Sequence, residues 1–308
     1  MGIPSADRVG TIATAGGDTW FRVTGTLDAT GPLPLVVLHG GPGVPHNYVL
    51  QIAHLAAGGR AVVHYDQIGC GNSTHRPDAD PSFWTVQLFL DELDAVLAGL
   101  GIAGGYAVLG QSWGGMLAAE HAVRRPPGLK ALVIANSPAS MELWLAEANR
   151  LRADLPPEVQ ATLLEHEAAG TTDSPEYAAA EAVFYDRHVC RVVPNPPEVA
   201  ESFALLADDP TVYHTMNGPS EFHVVGTMKD WSIIDRLPQI TAPTLLVSGR
   251  FDEATEACVQ PFADAVPGAT WVVFDESSHL PHVEEPERYL QVVGDFLATC
   301  DITGDPTR

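Results

Sequence analysis

Four short, uninterrupted apolar runs, at residues 33–38, 61–65, 106–109 and 131–135, constrain this chain more than any other feature. Each is too short for a helix and has no polar face, as expected for strands buried on both sides of a sheet. Helical patterns separate them. Over residues 81–100, Val86, Phe89, Leu90, Leu93 and Leu97 recur at helical spacing. Strand and helix in alternation imply a mostly parallel, twisted sheet with helices on both faces, an α/β architecture. Upstream, runs at 9–15 and 18–26 flank Gly16-Gly17, a two-residue hairpin signal.

From about Ser137 the strands stop for some hundred residues. Helical stretches punctuated by Pro156-Pro157, Pro175, Pro194 and Pro196-Pro197 replace them, and alternation resumes at 244–248 and 270–274 before a last helix near 287–298. The expected organisation is one sheet domain, residues 1–136 and 239–308, split by an inserted helical cap at 137–238. That insertion holds 17 acidic residues against six basic ones, nearly half of the net charge of −23 on a third of the chain.

Such acidity argues against a nucleic-acid partner, because phosphate binding needs clustered Lys and Arg. No apolar run reaches the roughly 18 residues of a membrane span, so no membrane partner is expected. The first residues, Met1 to Asp7, have neither a basic nor an apolar leader pattern, which makes a cytoplasmic location the default expectation. Cys70, Cys190, Cys258 and Cys300 are widely spaced and form no ligand-like cluster, and free thiols are expected. With no HExxH, P-loop or GxGxxG in its required context, the expected metals and cofactors are none.

Chemistry enters at Gly110-Gln111-Ser112-Trp113-Gly114. The pentapeptide lies between an apolar strand and a helical run at 116–123. A nucleophile on a strained strand-to-helix turn needs small neighbours, and this G-x-S-x-G supplies them. A serine is a poor nucleophile until a base takes its proton, so a histidine and an orienting carboxylate are required downstream. Asp252 follows the run ending at Gly249, and His279 follows the run ending at Phe274. The order Ser112, Asp252, His279 is that of the α/β-hydrolase triad. His282, three residues on, is expected to be structural. His39-Gly40-Gly41-Pro42-Gly43 follows the third strand and offers backbone donors, and the expected oxyanion hole pairs the N–H groups of Gly41 and Trp113. His39 itself is expected to support this loop by packing and hydrogen bonding.

Six segments together resemble the proline iminopeptidase (prolyl aminopeptidase) family of the α/β-hydrolase fold, with its tricorn-interacting aminopeptidase and amino-acid amidase relatives. They are HGGPG at 39–43, DQIGCGNS at 66–73, GQSWGG at 110–115, NGPSEF at 217–222, GRFDEAT at 249–255 and SSHLPHVEEPERY at 277–289. The resemblance spans nearly the whole chain. It implies an exopeptidase that removes an N-terminal residue, proline or another small or apolar one, from short peptides, or hydrolyses amino-acid amides. It also implies that Glu221 and Glu253 hold the free amine of the small substrate. The chemistry is consistent, because a scissile bond one residue from an ammonium needs a fixed negative charge to set its register. A solvated cap residue and a helix-terminal carboxylate are the respective alternatives for the two. Glu256 stands where relatives usually carry proline.

A carboxylesterase or lactonase shares the triad but needs no ammonium clamp. A biosynthetic acyltransferase differs only in the acceptor that resolves the acyl-enzyme. A ligand-binding receptor with a vestigial triad is the reading from outside enzymology.

Overall fold

The computed structural model describes residues 2–28 and 30–303. Met1, Ala29 and residues 304–308, which include both outer ends of the expected sheet domain, lie outside the described residues.

Among the described residues eight strands form one sheet: β1 (Arg8–Thr14), β2 (Gly17–Thr24), β3 (Leu35–Leu38), β4 (Val62–Tyr65), β5 (Tyr106–Gln111), β6 (Leu129–Ala135), β7 (Thr244–Gly249) and β8 (Thr270–Phe274). Their spatial order is β1-β2-β4-β3-β5-β6-β7-β8. The pairs β1–β2 and β2–β4 are antiparallel and the rest parallel. Apolar side chains alternate between two cores, one on each face. Val36, Val63, Val108, Leu132 and Leu246 face one core with α1 (Val86–Gly99), α2 (Trp113–Val123) and α8 (Glu256–Ala265). Leu35, Val62, Leu109, Val133 and Val247 face the other, against a 3-10 segment (His46–Gly58) and α10 (Pro286–Thr303). Continuous apolar runs are therefore what β3, β4, β5 and β7 need, since neither face of these strands meets water.

Two boundaries differ from the sequence expectation. Thr14 pairs with Gly17, so the hairpin turns on Ala15 and Gly16, one residue early. Gly17 is instead the first residue of β2, where a Cβ would come within 2.6 Å of the Thr74 side chain. The pattern at 81–100 divides into a 3-10 turn (Pro81–Phe83) and α1, because Thr85 is extended and its hydroxyl accepts the Leu88 N–H at 3.2 Å, an N-cap. Phe83 packs against the same core as α1, which is why the periodicity runs through the break.

Between β6 and β7 lie α3 (Met141–Ala153), α4 (Pro157–Ala169), α5 (Pro175–His188), α6 (Pro197–Asp208) and α7 (Thr211–Met216). The prolines that punctuate the sequence open three of these helices, at Pro157, Pro175 and Pro197, where a missing N–H costs nothing. Leu151, Leu163, Tyr177, Phe184 and Phe222 form a separate small core here. α6 reaches the sheet side through Ser202, whose Oγ accepts the Tyr48 N–H at 2.9 Å. All four cysteines are buried, and Cys70, Cys190 and Cys258 are free thiols. No helix among the described residues is long and apolar enough to cross a membrane.

Candidate active site

Ser112 sits between β5 and α2 with φ 56° and ψ −124°, a conformation that non-glycine residues adopt only under constraint. The constraint is steric. A Cβ on Gly110 would stand 2.0 Å from the Gly114 carbonyl oxygen, one on Gly114 2.1 Å from that of Leu38, and one on Gly115 1.9 Å from Ser137 Oγ. The Ser112 N–H donates to the Ala135 carbonyl at 2.9 Å, and Ser137 Oγ donates to the Ser112 carbonyl at 2.7 Å. Both partners come from the end of β6 and the residues just after it.

Asp252, after β7, and His279, after β8, meet beside this turn. His279 Nδ1 donates to Asp252 Oδ1 at 2.7 Å, which leaves Nε2 to face the site. Burial works against a charged His279, but Asp252, by charge and hydrogen bond, together with Glu221 and Glu284 outweighs it, and its pKa is raised. The histidine backbone is also fixed, since Gln111 Nε2 donates to the His279 carbonyl at 3.0 Å. Glu284 accepts the Ser278 N–H and hydroxyl, both at 2.7 Å, just before it. His282 is turned away: its Nε2 donates to the Tyr48 carbonyl at 3.0 Å, and burial lowers its pKa to about 4.

Gly41 and Trp113 both line a pocket at Ser112. Trp113 opens α2, so its N–H has no intrahelical acceptor. Tyr48, absent from the sequence expectations, ties the glycine loop to β5: its hydroxyl accepts the Gly40 N–H at 2.6 Å and donates to Gln111 Oε1. Gln67 makes a second tie. Its N–H and side-chain amide bond to His39 Nε2 and the His39 carbonyl, each at 2.9 Å, while its Oε1 accepts the Trp113 indole N–H at 2.8 Å. Burial lowers His39 to about 4, so its neutral ring can accept the Gln67 bond.

Glu221 and Glu253 line a second pocket together with Ser112, His279, Tyr48 and Tyr185. Glu221 Oε1 accepts the Tyr213 hydroxyl at 2.5 Å, and its carbonyl accepts the Trp144 indole N–H at 2.6 Å. Glu253 is 1% exposed, and both of its carboxylate oxygens are buried without a hydrogen-bond partner. Burial first, then Glu221, Asp252 and Glu181, push its pKa well above the carboxylate range. Glu181, on α5, is likewise raised to about 7 by burial and Glu221. Glu256 takes no part: it is exposed on α8 and pairs with Arg250.

Three residues that contribute to the site had weak sequence signals. Asn136 Nδ2 donates to Asp252 Oδ2 at 2.6 Å. It follows β6 directly, at the same edge of the sheet as Ser112, Asp252 and His279, and that position was the available signal. Tyr213 and Glu181 lie in helices with no motif to mark them. Among the described residues one trio, His39, Asp66 and Cys70, lies close enough to share a metal ion. Asp66, however, already accepts bonds from His46 and Asn72, and burial raises the Cys70 thiol, a poor donor set.

Residues 34–286 match the family model described as alpha/beta hydrolase fold. The chain is 39% identical to a proline iminopeptidase of Heyndrickxia coagulans, over 87% of this chain and 91% of that one. A solved proline iminopeptidase of Mycobacterium smegmatis is 56% identical, with TM-score 0.90, covering 97% of this chain and all of its own. The solved structure of VinJ is also 56% identical, with TM-score 0.94, covering 96% of this chain and all of its own.

Proposed function

This chain belongs to the proline iminopeptidase family of α/β hydrolases, and we propose that it is a serine exopeptidase that cleaves the amide bond next to a free amine. Its hydrolase character follows from the family. The substrate and the residue roles are our reading.

In this reading Ser112 Oγ attacks the substrate carbonyl while His279 Nε2 takes its proton, and Asp252 stabilises the imidazolium that forms. The N–H groups of Gly41 and Trp113 hold the oxyanion. His279 then gives its proton to the leaving amine, and water resolves the acyl-enzyme by the same steps in reverse. Residues 137–238 act as a cap that brings Glu221 over the sheet edge from which Ser112, Asp252 and His279 project. Short peptides and amino-acid amides carrying proline or another small apolar residue are the proposed substrates.

The observation that carries this reading is Glu253. A buried carboxylate with both oxygens unpaired costs several kcal/mol unless a cation joins it. The amides at the start of α8 do not bond to it, so a helix-terminal role does not account for its position. A substrate ammonium between Glu253 and Glu221 does, whereas an esterase or lactonase substrate supplies no such charge. A panel of aminoacyl naphthylamides, proline included, tests this against N-acetyl counterparts. Free-amine substrates should be cleaved and blocked ones spared; equal cleavage of both sinks the exopeptidase reading.

A further inference from the structure

Glu253 Oε1 lies 3.7 Å from His279 Nε2. That nitrogen is the one needed to take the Ser112 proton, because Nδ1 is committed to Asp252. Among the described residues, His279 is the only basic group within 4.0 Å of the Glu253 carboxylate. The groups facing the pair are otherwise acidic or neutral. Asp252 comes from the same loop, Glu221 from the segment after α7, and Glu284 from α9 (Pro281–Glu284). Glu181 and Tyr185 come from α5 and Tyr213 from α7. His188, at the end of α5, accepts the Glu253 N–H at its carbonyl, at 3.3 Å, and burial lowers the pKa of its ring.

We propose that in the free enzyme one proton held by the Glu253–His279 pair keeps Nε2 protonated, as an ion pair with the carboxylate, and that the substrate ammonium displaces it, so that His279 becomes a base only once a charged amine has docked. At 3.7 Å the two atoms attract by charge without a hydrogen bond, and a protonated Nε2 cannot accept from Ser112. An arriving ammonium donates its N–H groups to Glu253 and Glu221 and supplies the positive charge that the imidazolium had supplied. The proton then leaves to solvent; only its N–H bond breaks. Free enzyme plus one ammonium gives the complex plus one released proton. The inference rests on the clamp reading and adds to it: the amine sets the protonation state of the base as well as the register of the bond. A substrate without an amine can occupy the cavity yet meet a blocked histidine.

Calorimetric binding tests this with the Ser112→Ala enzyme, which binds without turning over. The tightest-binding of prolinamide, alaninamide and leucinamide is titrated at pH 6.5, where an α-amine of pKa about 8 arrives charged. Heats measured in phosphate and in imidazole, which differ in ionisation enthalpy, give the proton count. Release of close to one proton per ligand is expected, falling to near zero when Glu253→Gln is added. Binding without proton exchange overturns the proposal and leaves the clamp standing, as does undiminished release from the Glu253→Gln protein. Amides that bind no better than their N-acetyl forms remove the clamp, and the proposal with it. The count in Ser112→Ala alone decides the matter if the second substitution impairs folding.

Discussion

Asn136 holds the second oxygen of Asp252 at 2.6 Å while His279 holds the first at 2.7 Å. The carboxylate therefore cannot rotate without losing a charge-assisted bond, and the His279 ring is aimed through it. Asn136 has φ 54°, so glycine can replace it without backbone strain. Asn136→Gly should lower kcat about 10- to 100-fold, the equivalent of about 1.5–3 kcal/mol for a bond to a charged group, with KM little changed. Steady-state kinetics reads this directly, and an unaltered kcat contradicts it.

Glu221→Gln removes one charge of the proposed clamp but keeps the side-chain volume. For free-amine substrates kcat/KM should fall roughly tenfold or more, matching a loss of about 1.5 kcal/mol. Tyr213→Phe, which deletes the hydroxyl bonded to Glu221, should act in the same direction to a smaller extent. If both variants cleave free-amine substrates at the wild-type rate, Glu221 does not touch the amine.

The pH profile of kcat/KM should be bell-shaped. Its ascending limb reports His279 in the free enzyme. Because the pKa of His279 is raised, that limb should lie above the ordinary histidine value of about 6.5. The descending limb follows loss of the substrate's ammonium near pH 8. A flat profile across pH 6 to 8 contradicts the assignment of the base.

Glu92 on α1 makes a prediction about stability. It is 1% exposed, and its Oε1 accepts the Thr19 hydroxyl at 2.5 Å and the Ile68 N–H at 2.9 Å. Burial outweighs those bonds and raises its pKa from 4.5 to about 8. Between those values the folded chain holds a proton that the unfolded chain has lost, so stability falls as pH rises through that window. The span corresponds to a change on the order of 5 kcal/mol. Glu92→Gln should flatten the decline of Tm between pH 5.5 and 8. Parallel Tm curves for the two proteins contradict this.

Much of this arrangement was legible in the sequence, because the residues of the proposed site sit where strands end. Ser112, Asp252 and His279 each follow an apolar run, and a parallel sheet brings the carboxyl ends of its strands to one edge. Gly41 and Trp113 share that property. Tyr48 and Tyr213 were not legible because their contacts depend on how the 3-10 segment and the helices between β6 and β7 fold over the edge, and helical periodicity says nothing of that docking. The hairpin slipped by one residue for a related reason: Gly16 and Gly17 look alike in sequence, and they differ only in the folded chain, where Gly17 takes φ 140° beside Thr74 and Gly16 packs against Ile68.

The most direct measurement is covalent labelling by a diphenyl phosphonate analogue of proline, with a free amine, read by peptide-resolved mass spectrometry. The account predicts a single adduct on Ser112, much slower labelling by the N-acetylated reagent, and loss of that preference in the Glu221→Gln, Glu253→Gln double variant. An adduct on another residue, or equal labelling by both reagents in the wild-type enzyme, would contradict it.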